Sequence, residues 1–227
     1  MLQRNDVLAK APVTLTLEKP AVGNKVLRNT YLLLSMTLLF SAITAGIAMA
    51  TNAPPLHWMI TLVGYFGLLF VVTRLRNSVW GLAAVFALTG FLGYTLGPIL
   101  NLYLKLPNGP QVVMTALGGT GAIFLALSAY ALVSRKDFSF MGSFLMVGML
   151  VGILASLAAV LFNIPTLSLA VSGVFILLMS GMILWQTSEI IHGGETNYIM
   201  ATVTLYITIF NLFLSLLQIL GVMSSDD

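Results

Sequence analysis

WQTSEIIHGGETNYIMATVTLYITIFNLFLSLLQ, residues 185–218, decides how the whole chain is read. Its second half is apolar enough to cross a bilayer, yet it carries Thr204, Thr208, Asn211, Ser215 and Gln218. Those positions advance by four, three, four and three, which on a helix draws one polar stripe along an apolar rod. Hydrocarbon offers such side chains no hydrogen-bond partner, so the stripe must face protein or trapped water. A helix of this kind belongs inside a bundle, with the other helices around it.

The composition agrees. Of the 227 residues, 59% are hydrophobic and 7% are charged, with a mean hydropathy of +1.01. A soluble domain carries about 25% charged residues, so this chain cannot cover itself for water. A membrane β-barrel would alternate in segments of about ten residues, whereas the apolar blocks here are long and unbroken. The expected class is a polytopic, all-α membrane protein with the lipid bilayer as its solvent. With no cysteine, disulfides and thiolate metal sites are excluded. A formal net charge of +3 is no footprint for nucleic acid.

Working outward, seven spans near the ~20 residues a bilayer needs are expected at about 30–50, 56–73, 79–100, 112–134, 139–162, 166–188 and 197–221. The expected architecture has six of these helices packed around the C-terminal one. Residues 1–29 read as a disordered tail, 30–222 as the helical domain and 223–227 as a short end. With the N-terminus in the cytoplasm, nine of the ten Lys and Arg residues fall inside and only Lys105 falls outside. Seven spans then leave the C-terminus on the periplasmic side. Small residues at close-packing spacing, Gly93 with Gly97 and Gly148 with Gly152, suit helix contacts within the chain.

Chemistry-bearing residues concentrate before the last span, at Glu189, His192 and Glu195. Glu189 and His192 are three apart and share a helix face before Gly193 and Gly194 end it. Two readings stand. Glu189 is a paired acid at the membrane mouth, latched to Arg74 or Arg76, or both glutamates are solvated at the interface, with Glu195 favouring a helix N-terminus. Thr208 and Asn211 extend the polar set inward. No metal site is expected: there are two histidines, and His57 falls on the opposite face. HGGE is not HExxH, and the serines at Ser172-Gly173 and Ser180-Gly181 have no base at their depth. Neither a catalytic residue nor a cofactor is implied, and the chain does not read as an enzyme.

KVLRNTY at 25–31, TGFLGYTLGPILN at 89–101 and IIHGGETNYIMATVTLY at 190–206 closely resemble the bacterial branch of the Bax inhibitor-1 family. The resemblance runs from about residue 25 to residue 221. It implies seven spans in a bacterial inner membrane, a cytoplasmic N-terminus and a last helix surrounded by the others. It also implies a partner, the membrane-bound ATP-dependent protease FtsH, which the chain would restrain as an inhibitor and slow substrate engaged through the N-terminal tail. Other members are pH-sensitive calcium leaks with an aspartate pair; by position the pair falls on Glu189 and Thr208. One carboxylate is kept and one lost, and a lone acid cannot share a proton as a pair does. A cation leak, with weak calcium or proton interaction, is therefore the secondary expectation.

Overall fold

The computed structural model describes residues 19–224, with side chains from residue 24 onward. Seven helices follow one another: α1 (Lys19–Ala50), α2 (Trp58–Leu75), α3 (Trp80–Leu104), α4 (Gly109–Ser134), α5 (Met141–Leu161), α6 (Pro165–His192) and α7 (Tyr198–Met223). All seven are long and apolar enough to span a bilayer, and there is no strand among the described residues. The fold class is the one expected. Local sequence explains the breaks. Pro110 and Pro165 sit in the first turns of α4 and α6, where the missing N–H is no loss. Asn52, Arg135, Asn163 and Gly193 take left-handed backbone (φ 48°, 50°, 55° and 77°) and turn the chain after α1, α4, α5 and α6.

The packing is less symmetric than a ring of six. Helices α1, α3, α4 and α6 lie along α7, whereas α2 packs mainly on α3 and α5 mainly on α6. Buried positions run down α7 from Ile199 to Gly221 and include Leu205, Tyr206, Leu212 and Leu217, each 1% exposed or less. α2 and α5 turn most of their side chains outward, as Phe66, Phe70, Val147 and Leu154 do. In a bilayer such residues are solvated by lipid and cost nothing.

Helix α1 begins earlier than the apolar pattern suggested, at Lys19 rather than near residue 30. The segment 19–29 is helical, and Val26 joins the buried cluster that holds Ile190 and Ile199. Lys19, Asn24, Lys25, Arg28 and Asn29 interrupt the apolar run there, so hydropathy underestimated the helix length. Residues 1–18 of the expected tail, and residues 225–227 at the other end, lie outside the described residues.

Close approach is strongest between α1 and α3. A methyl group at Gly93 would collide with the Ser41 carbonyl and with both Ser41 Oγ and Thr44 Oγ1, and one at Gly97 would meet Ala48. Gly148 and Gly152 likewise face Leu178 and Phe175 of α6. Both glycine rows therefore serve packing within the chain, where dispersion between closely approaching backbones supplies what apolar contact alone cannot. Above Gly93, Ser41 Oγ lies 2.6 Å from the Tyr206 hydroxyl, which donates to the Thr89 carbonyl at 3.2 Å. This network links α1, α3 and α7.

Candidate functional site

Three inter-helix turns meet at the end of the bundle that carries Arg74, Arg76, Arg135 and Lys136. The α6–α7 turn is the middle one. Gly193 ends α6 in left-handed backbone, and the N–H groups of Gly194 and Glu195 donate to the Glu189 carbonyl at 2.8 and 3.1 Å. The Glu189 carboxylate folds over Gly194, where any side chain would collide with Oε2. Gly193 is required by its backbone angle, whereas a side chain at Gly194 would displace the Glu189 carboxylate.

Asn197 then starts α7. Its Oδ1 accepts the N–H groups of Ile199 (3.0 Å) and Met200 (3.1 Å), satisfying donors that the first helical turn leaves open. Its Nδ2 donates to the Arg76 carbonyl (3.0 Å) and to Asn77 Oδ1 (2.8 Å) in the α2–α3 turn. Its own N–H donates to Glu195 Oε1 at 2.7 Å. One side chain caps a helix and ties two turns together.

The α4–α5 turn is held from the other side. Ser188, fully buried, accepts the Phe138 N–H at 2.9 Å and donates to the Lys136 carbonyl at 3.3 Å. His192 sets Nδ1 2.9 Å from the Ser188 carbonyl and Nε2 3.2 Å from the Arg135 carbonyl. A neutral ring can donate to one of these carbonyls, an imidazolium to both. Asp137 accepts the Ser139 N–H at 2.9 Å, and hydrogen bonds from Ser139 hold its carboxyl below the usual carboxylate range, with the His192 ring assisting.

The residues expected to carry chemistry are therefore only partly brought together. Glu189, His192 and Glu195 do share one turn. The guanidinium latch is not formed: Arg74 and Arg76 are exposed, and among the described residues no ion pair joins either to Glu189. Arg76 contributes its carbonyl, and Asn197 rather than Glu189 reaches it. Both guanidinium groups are exposed, where an ion pair would contribute little in any case. Thr208 and Asn211 are remote. A rise of ~1.5 Å per residue puts Thr208 about 15 Å into α7, while Glu189 is about 5 Å from the end of α6. Both also close on their own helix, Thr208 onto the Thr204 carbonyl (2.7 Å) and Asn211 onto the Ile207 carbonyl (2.8 Å). Gln218 alone of the stripe bridges helices, donating to Ser168 Oγ (2.6 Å) and accepting from Ser172 Oγ (2.7 Å).

Sequence reasoning missed Ser188, Asn77 and Asn197. For Asn197 a signal existed, an asparagine immediately before an apolar helical run. For Ser188 the signal was faint: His192 stands four residues on, with Nδ1 3.2 Å from Ser188 Oγ, and the other partners are backbone groups. Among the described residues no three His, Asp or Glu side chains are placed to hold a metal ion together.

The chain matches the family model described as inhibitor of apoptosis-promoting Bax1 over residues 23–225. It is 53% identical over 203 residues to the Escherichia coli (strain K12) protein named modulator of FtsH protease YccA, covering 89% of this chain and 92% of that protein. An uncharacterized Pseudomonas aeruginosa protein is 53% identical over 202 residues, 89% of this chain and 91% of the relative. An uncharacterized membrane protein of Vibrio cholerae is 48% identical over 215 residues, 94% and 96% of the two chains.

Proposed function

Since the chain belongs to the Bax inhibitor-1 family, we propose that it is an inner-membrane modulator of an FtsH-type protease, acting as a slow substrate that occupies the enzyme. The observation that carries this reading is the 53% identity, over nine-tenths of both chains, to the protein named for that role. On this reading the arginine-bearing end faces the cytoplasm, following the nine-to-one Lys/Arg asymmetry. The C-terminus is then periplasmic, and the chain acts as a regulator without chemistry of its own.

Packing supplies a mechanism. A protease that grips residues 1–18 loads α1 first. That helix buries Thr30, Leu33, Leu34, Thr37, Ala45 and Ala48, and lies against α3 at the Gly93 and Gly97 contacts. Its Thr30 carbonyl accepts from Thr202 Oγ1 of α7 at 3.3 Å. Extraction under force is governed by the barrier to unfolding rather than by equilibrium stability. An element that must break its backbone contacts before yielding gives a long dwell time, during which other clients are spared.

Co-purification tests this. Solubilised membranes containing a proteolytically inactive FtsH and the tagged full-length chain should yield the complex, and a variant lacking residues 1–18 should not. Recovery of FtsH with neither form would overturn the reading, and equal recovery with both would remove the N-terminal grip from it.

A further inference from the structure

Helices α1 and α4 both pack on α3, α6 and α7, yet barely touch each other. They meet where Tyr31 lies beside Phe124, ring centroids 6.0 Å apart. Beyond that contact a seam opens between them into a cavity of about 380 Å³ whose floor is α7, at Tyr206, Phe210 and Phe213, and which Leu96 and Leu100 of α3 also line. Its volume lies within the range of small-molecule sites, roughly 300–1,000 Å³.

Three observations define what would fill it. First, its polar groups are already satisfied. Ser41 and Tyr206 bond each other at 2.6 Å, Tyr206 donates to the Thr89 carbonyl, and Thr120 donates to the Ala116 carbonyl at 2.7 Å. Nothing there calls for an ion, and a cavity without free polar partners holds no ordered water. Second, the space is genuine on both walls: a methyl group added at Gly46 of α1 or Gly121 of α4 would meet no atom within 4 Å. Third, the seam is continuous with the lipid-facing surface. Leu117 lines the cavity and is itself 52% exposed, and Gly46 is exposed beside Ile43 and Ile47. An unfilled space of this size forfeits dispersion contacts along its whole lining. The solvent at its mouth is hydrocarbon.

We infer that the α1–α4 seam binds one acyl chain of a bilayer lipid, inserted sideways against Tyr206 and Phe213 of α7. The chain would pack on the helix that the Ser41–Tyr206 pair joins to α1, and so complete a wall that the protein leaves open.

The test uses the full chain in nanodiscs of phosphatidylethanolamine and phosphatidylglycerol doped with a phospholipid bearing a diazirine on one acyl chain. Discs holding one protein copy are irradiated and the labelled peptides identified. Labelling should concentrate on 42–49, 117–124 and 206–213. The variant Gly46→Leu with Gly121→Leu should lose it, while labelling of the outward face of α5 at Leu150 and Leu154 persists as the folding control. If the double variant does not fold, Gly46→Leu alone carries the same test. Labelling spread evenly around the lipid-facing helices, or unchanged in the filled variant, would overturn the inference. Labelling present in single-copy discs but lost in discs holding two copies would assign the seam to a second copy instead.

Discussion

Replacing Gly93 by alanine adds one methyl group at a close backbone contact between α1 and α3. The new carbon collides with the Ser41 carbonyl, a backbone atom that cannot rotate away, and with the hydroxyls of Ser41 and Thr44. Helix α1 must back off from α3, which also strains the 2.6 Å Ser41–Tyr206 contact. Overpacking of this sort costs about 1–3 kcal/mol. If α1 is the first element pulled, that cost falls on the native state and not on the state with α1 already detached. At ~1.4 kcal/mol per tenfold in rate, extraction should accelerate by roughly 5- to 150-fold. Pulse-chase half-life in cells with active FtsH reads this directly, with Gly67→Ala as control, since a methyl there meets nothing. The variant should be degraded faster and should protect other clients less. A variant shown by thermal melting to be destabilised, yet degraded at the wild-type rate, would refute the claim that α1–α3 packing limits extraction.

The three-turn cap makes its own predictions. Asn197→Asp keeps the two capping bonds but loses both donors to the α2–α3 turn, and should cost about 1–3 kcal/mol; Asn197→Ala loses the cap as well and should cost about 1 kcal/mol more, both read as loss of thermal stability in detergent. Ser188→Ala should raise hydrogen exchange at the Phe138 amide by about 5- to 30-fold, as 1–2 kcal/mol of local protection disappears; unchanged exchange would show that the α4–α5 turn is held otherwise. Arg76→Ala should leave stability within about 0.5 kcal/mol, because Asn197 uses only the Arg76 carbonyl. Liposomes holding only this chain should pass little calcium at any pH, and a steep pH-dependent flux would favour a cation leak over protease modulation.

How far the sequence carries follows from what each physical effect leaves in it. The seven spans are legible because hydrocarbon demands long apolar runs, and Pro110, Asn163, Pro165 and Gly193 mark their boundaries visibly. The burial of α7 is legible too, through side chains that lipid cannot solvate. That Thr208 and Asn211 close on their own helix was not, since a stripe on a helical wheel does not distinguish a bridge from a back-bond. Nor was the outer position of α2 and α5, because a leucine facing lipid and a leucine facing a helix are the same letter. At the cap, the charged residues drew attention and the bonding is done by Asn197, Ser188 and backbone carbonyls, which sequence barely marks. The helical start at Lys19 escaped notice because Lys19, Asn24, Lys25, Arg28 and Asn29 break the apolar pattern there.

The most direct test of protease modulation is client protection in proteoliposomes. Purified FtsH, ATP and an unrelated, rapidly degraded membrane-protein client would be co-reconstituted with the full-length chain, with the variant lacking residues 1–18, or with neither, and client half-life measured. The account predicts a longer client half-life with the full-length chain only, accompanied by slow loss of the chain itself. Client degradation at the same rate in all three vesicle preparations would contradict it.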